Sequence, residues 1–113
     1  MKITNNTTDN YKEILLNGRL DTKTVADCEQ DILAEIDDDH QNFLLDCSKI
    51  SYVSSSGLRV FLKLQKMISA KQHTLTLHSM PEHIYEIFKM CNFTTIFEIV
   101  DTKDEAVAGI TDN

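Results

Sequence analysis

Between residues 42 and 78 the apolar period of the chain changes twice, and few folds accommodate such a sequence. Asn42-Phe43-Leu44-Leu45-Asp46 is a short apolar run with polar ends, as expected of a central strand covered on both faces. Residues 56–71 then spread Leu58, Val60, Phe61, Leu62, Leu64, Met67 and Ile68 over one wide arc of a helix. Thr74-Leu75-Thr76-Leu77-His78 alternates apolar and polar, the period of a half-buried strand. Strand, helix and strand in that order predict a parallel pair joined by a crossover helix.

The flanking segments extend the pattern. Residues 11–16 read as a strand with Asn17-Gly18 as its turn, and residues 1–5 as a weaker strand able to pair with it. Over 24–36, Val25, Cys28, Ile32 and Ile36 recur at helical spacing, while Asp27, Asp31 and Glu35 fall outside their arc. Met80-Pro81 opens another helix, with Ile84, Ile87, Phe88 and Cys91 as its buried face. Residues 96–100 read as a last strand and 104–110 as a terminal helix. The order β-β-α-β-α-β-α-β-α predicts an α/β fold whose mixed sheet has four to five strands and about four helices.

Composition narrows the function classes. At 113 residues, 1–113 is expected to be a single domain with one ordinary core. Met1-Lys2-Ile3-Thr4-Asn5-Asn6 lacks the apolar centre of a signal peptide, and no stretch approaches the ~20 apolar residues of a bilayer span. Three widely spaced cysteines, an odd number, fit reduced thiols in a cytoplasmic protein better than a disulfide framework. A net charge of -7 argues against non-specific binding to nucleic acid or anionic membrane.

No cofactor or metal is expected. Asp37-Asp38-Asp39 is followed by no glycine or glutamate at calcium-loop spacing, so it reads as a solvated helix end. His78 and His83 straddle Pro81 and form no helical ligand pair; both read as surface or turn histidines. Met67, Met80 and Met90 read as fillers of core gaps.

The segment that asks for a functional reading is Tyr52-Val53-Ser54-Ser55-Ser56-Gly57-Leu58-Arg59, at the junction of a strand with the clearest helix. A helix start needs one capping hydroxyl to satisfy an orphan N–H, and here there are three. Around Ser55 the first glycine of the G-x-S-x-G nucleophile elbow is missing, and no acid is identifiable as partner to any histidine, which argues against a hydrolase. One glycine without Gly-Lys-Ser/Thr cannot make a phosphate-binding P-loop. Asp46 ends a strand as a receiver-type phosphoaspartate would. The acidic pair after the first strand is absent, however, and Lys103 comes late.

The reading that remains is a serine modified by another protein's kinase. Arg59, Lys63 and Lys66 fall near one another on the helical wheel at about 100° per residue, and Ser55 heads that basic stripe. A phosphate there would add about -1.5 to -2 charges. It would sit at a helix N-terminus, which favours anions by ~0.3–1 kcal/mol. Such a switch alters a docking surface and leaves the fold intact.

The chain resembles the STAS domain family, specifically the single-domain anti-sigma factor antagonists of bacteria. Gly18-Arg19-Leu20-Asp21 is similar to the family's G-x-L-D opening. Leu44-Leu45-Asp46-Cys47-Ser48, Ile50 and Tyr52-Val53-Ser54-Ser55-Ser56-Gly57-Leu58 resemble its D-x-S-x-(hydrophobic)-x-(aromatic)-(hydrophobic)-D-S-S/T-G-L signature. Phe93-Thr94-Thr95-Ile96-Phe97, Asp101 and Glu105-Ala106 resemble its C-terminal pattern.

The resemblance implies partner switching. The unphosphorylated antagonist binds an anti-sigma factor that is also a serine kinase; phosphorylation releases it and a phosphatase restores it. The phosphorylated serine maps onto Ser55, with Ser54 and Ser56 as alternative acceptors and Asp21 nearby. Ser54 stands where the family usually has Asp, and Arg59, where it commonly has a small residue, is expected to be able to pair with a phosphate at Ser55 and blunt its repulsive effect. The expected docking surface is Asp21, Ser54, Ser55, Ser56, Gly57, Arg59, Lys63 and Lys66, on a non-enzymatic monomer or weak dimer. The alternative is a STAS module that is never phosphorylated and acts as a scaffold or senses a nucleotide or lipid.

Overall fold

The computed structural model describes residues 2–111. The expected span of 1–113 therefore includes Met1, Asp112 and Asn113, which lie outside the described residues. Five strands form one sheet in the order β1-β2-β3-β4-β5. They are β1 (Lys2–Thr7), β2 (Lys12–Leu20), β3 (Asn42–Val53), β4 (Thr74–His78) and β5 (Glu98–Val100). The helices are α1 (Val25–Ala34), α2 (Ser55–Ala70), α3 (Glu82–Met90) and α4 (Lys103–Thr111), with a 3-10 turn over Phe93–Thr95. The mixed sheet and the element order agree with the sequence reading. β1 is antiparallel to β2, and every later pair is parallel.

Because each crossover steps to the next strand in the same direction, right-handed connections place α1, α2 and α3 on one face of the sheet. That face carries Ile14 and Leu16, Phe43, Leu45 and Cys47, and Leu75 and Leu77 from adjacent strands. They form one buried cluster with Cys28, Ile32, Phe61, Leu64, Ile68, Ile84 and Phe88 from the helices. Phe88 meets Phe61, Phe93 and Phe97 edge-on at 5.2–5.8 Å between centroids. The register puts Glu13, Leu44 and Thr76 on the opposite face, with Asp46 and His78 two residues further along their strands. α4 crosses this second face, bringing Glu105, Ala106, Gly109 and Ile110 to a shallow pocket shared with Thr74, Thr76 and Glu98.

Several expectations are corrected. Asn17-Gly18 is not a turn: β2 runs on to Leu20 through two register shifts, and Gly18 takes φ 124°. Pairing with both β1 and β3 overrides the local turn preference, and the glycine supplies the conformation an irregular strand needs. β3 extends to Val53 rather than stopping at Asp46. Beyond the Asp46↔His78 pair it continues against β2 alone, where Arg19 faces Tyr52. Cys91 follows the last turn of α3 and is exposed, as is Met90 at 81%. β5 is shorter than expected because Phe93–Thr95 coil first and Ile96 stays exposed.

The cysteines remain thiols, with Cys28 and Cys47 buried. Burial pushes the Cys28 thiol up to about 11 and raises Cys47 as well, which makes both unreactive.

Candidate functional site

The serine junction is built by the extended β2–β3 arm. Ser54 N–H donates to Leu20 O at 2.9 Å, so the ladder with β2 carries directly into the helix start. Ser54 is extended (φ -85°, ψ 174°), and its Oγ accepts from the Gly57 N–H at 3.1 Å. Ser54 is thus the N-cap, and α2 begins at Ser55 rather than Ser56. Ser56 Oγ lies 2.9 Å from Ser54 Oγ and is half-buried. Ser55 is exposed, and among the described residues its hydroxyl has no hydrogen-bond partner. No acidic residue occupies the first turn of α2.

Gly57 is buried for a steric reason. A Cβ there would stand 2.7 Å from Leu20 O and 2.8 Å from Leu20 Cγ. The first turn of α2 therefore packs on the end of β2 at a distance only glycine permits, which fixes where Ser55 emerges.

Asp21 stands at the matching junction between β2 and α1. Its Oδ1 accepts from the N–H groups of Lys23 at 3.0 Å and Thr24 at 3.2 Å, and its Oδ2 pairs with Arg19 Nε at 3.3 Å. The Lys23 amide foremost, aided by Arg19 and the Thr24 amide, holds the carboxyl below its usual range. Arg19 also stacks over Tyr52, 4.6 Å from the ring centroid. Arg19, Asp21, Thr22, Lys23, Tyr52 and Ser54 line an open groove of about 580 Å³. Asp21 and the serine run thus flank one depression, although 33 residues separate Asp21 from Ser54 in the chain.

The basic stripe is exposed along α2, but its members differ. Lys63 Nζ bridges to Glu29 Oε1 of α1 at 3.1 Å. Arg59 and Lys66 are exposed without an ion pair among the described residues.

A second constellation went unrecognised in the sequence. His78 is 1% exposed rather than a surface histidine, and its Nε2 lies 2.7 Å from Oε2 of Glu13, itself 7% exposed. Lys103 Nζ donates to Glu13 Oε1 at 3.0 Å, so this lysine does have a partner in the sheet. The Glu13 bond, opposed by burial, raises the Lys103 pKa. Asp46 lies beside the pair. One ligand atom from each of Glu13, Asp46 and His78 stands within 4.8 Å of the others. The signal available in the sequence was an acid, Glu13, directly before the apolar run Ile14-Leu15-Leu16 of a strand.

Comparison with known proteins agrees with this fold. The STAS domain model matches residues 2–106, and the chain belongs to that family. It is 29% identical over 109 residues to BtrV of Bordetella bronchiseptica, named as an anti-sigma factor antagonist, covering 96% of this chain and 94% of that one. A Thermotoga maritima structure, also described as an anti-sigma factor antagonist, superposes with a TM-score of 0.88. It shares 20% identity and covers 96% of this chain and 94% of its own. The phosphorylated form of the Bacillus cell fate determinant SpoIIAA matches with a TM-score of 0.70 at 18% identity, covering 96% and 99%.

Proposed function

We propose that this protein is an anti-sigma factor antagonist controlled by phosphorylation of Ser55. The observation that carries the reading is the division of labour among the three serines. Ser54 and Ser56 are tied to each other and to the cap, while Ser55 presents an exposed hydroxyl at the end of α2. A kinase needs an accessible nucleophilic oxygen in a position where a dianion is tolerated. The helix N-terminus and the absence of acids in the first turn provide that position.

In this reading the unphosphorylated face, from Asp21 across the groove to Arg59, Lys63 and Lys66, docks an anti-sigma factor that is also a serine kinase. Transfer of the γ-phosphoryl group of ATP to Ser55 Oγ places a dianion in the middle of that face and breaks the complex; a phosphatase reverses it. Ser54, where the family pattern that this chain resembles usually has Asp, keeps the capping role through its hydroxyl and removes one negative charge beside the acceptor. The chain itself performs no catalysis. The test is incubation with ATP and the serine kinase that binds it, followed by mass-spectrometric site mapping. One phosphate on Ser55, abolished by Ser55→Ala, is the expected result. Single phosphorylation that persists in Ser55→Ala would move the acceptor to Ser54 or Ser56.

A further inference from the structure

The second face of the sheet holds a group of side chains that docking through α2 does not use. Glu13, Asp46 and His78 come from three adjacent strands, β2, β3 and β4, so a rigid scaffold brings them together. Their polar atoms converge: Glu13 Oε2 is 2.7 Å from His78 Nε2, and one ligand atom from each of Glu13, Asp46 and His78 lies within 4.8 Å of the others. Each of the three is also held from outside the cluster. His78 Nδ1 is bonded to Ser79 Oγ at 2.8 Å, and Ser79 adopts φ 59°. Asp46 Oδ1 accepts from Ser48 N–H at 2.9 Å, and Glu13 Oε1 accepts from Lys103 Nζ at 3.0 Å. Outer partners on an imidazole and two carboxylates are the arrangement that orients metal ligands.

We propose that Glu13, Asp46 and His78 form a site for a divalent transition-metal ion, zinc foremost. One imidazole nitrogen with two carboxylate oxygens matches the donor types that zinc accepts, with a water as the fourth ligand. Calcium and magnesium, which demand six or more oxygens, are poorly served by this set. Two carboxylates against the single ammonium of Lys103 leave excess negative charge to receive the ion. Tetrahedral bonds of about 2.0–2.1 Å set ligand atoms about 3.3 Å apart, so the Glu13–His78 contact opens by about half an ångström while Asp46 closes in. Any proton shared by His78 and Glu13 leaves to solvent as the ion enters. Asp46 is only half-buried and gives the route of entry. Bound there, the ion would join three strands beneath α4, whose first residue is Lys103.

The experiment is calorimetric titration of the metal-stripped full chain with zinc, repeated with His78→Gln and Asp46→Asn, alongside visible absorption after loading with cobalt(II). One ion per chain, an affinity at least 100-fold weaker in either variant, and a cobalt spectrum of low coordination number lost in both are expected. Ser79→Ala, which removes an outer partner only, is expected to weaken binding about 10-fold to 100-fold. If His78→Gln does not fold, Asp46→Asn alone decides. No zinc binding by the wild-type chain, or binding by Asp46→Asn equal to wild type, would overturn the proposal. The latter result would assign the ion to exposed groups such as Cys91.

Discussion

Ser54 Oγ stands 2.9 Å from Ser56 Oγ and accepts the Gly57 N–H at 3.1 Å, so one hydroxyl caps α2 and holds its neighbour in place. The clustering of serines at one helix start is thereby resolved into different tasks. Ser54 and Ser56 secure the turn, and Ser55 faces solvent.

Removing the cap should therefore cost stability without touching the candidate acceptor. Ser54→Ala leaves the Gly57 N–H unpaired and frees Ser56; a loss of about 1 kcal/mol, or about 4 °C in melting temperature, is expected. Ser54→Asp supplies a carboxylate acceptor at the same place and at the positive end of the helix dipole, so its melting temperature should equal or exceed that of wild type. Thermal unfolding of the two variants checks this. A melting temperature for Ser54→Asp as low as that of Ser54→Ala would contradict the capping role.

Gly57→Ala tests the contact that fixes the angle of α2. The added Cβ would stand 2.7 Å from Leu20 O, a backbone atom that cannot rotate away. A loss of about 1–3 kcal/mol is expected, read as a lower urea midpoint at unchanged slope. An unchanged midpoint would mean that the helix start shifts freely, contrary to the tight packing described above.

How much of this was legible in the sequence depends on the range of the interaction. The strand at Phe43-Leu44-Leu45 and the helix that follows were readable because apolar period is a local property. Asn17-Gly18 misled because a dipeptide carries turn preference but not the pairing with β1 and β3 that keeps it in a strand. Cys91 has the right helical spacing but falls past the last turn of α3, where no facing element covers it. His78 looked exposed because its partner, Glu13, is 65 residues away. The clustering of hydroxyls at a helix start was legible. Which serine caps was not, since that follows from the Ser54–Leu20 ladder bond.

Acid should weaken the fold through identifiable carboxylates. The Lys23 amide holds Asp21 below its ordinary value of 3.8, and the Lys71 ammonium does the same for Asp38. Burial alone would raise Asp37, but its bonds from His40 and Lys12 outweigh that and lower it too. A carboxyl depressed in the folded state favours folding fully above its unfolded value and loses that contribution as pH falls through the folded one. Urea midpoints should therefore be flat from neutral pH down to about 5 and fall steeply below about 4. Asp21→Asn, which retains an oxygen to accept the Lys23 and Thr24 N–H groups, should show a shallower fall. A slope identical to wild type would remove Asp21 from the account.

The basic stripe allows docking to be separated from stability, because its lysines are not equivalent. Lys63 bridges to Glu29 between α2 and α1, an exposed pair worth about 0.2–1 kcal/mol. Lys63→Glu therefore mixes a small structural loss and a new repulsion with any effect on a partner. Lys66 is exposed with no ion pair among the described residues, so Lys66→Glu should leave the melting temperature within about 2 °C. If the α2 face docks an anti-sigma factor, that substitution should still weaken the complex by about 10-fold at low salt, mainly through slower association, with the difference shrinking as salt rises. Calorimetric or surface-based binding at two ionic strengths makes the measurement. Unaltered affinity for Lys66→Glu, together with unaltered affinity for Arg59→Glu, would place the partner elsewhere on the molecule.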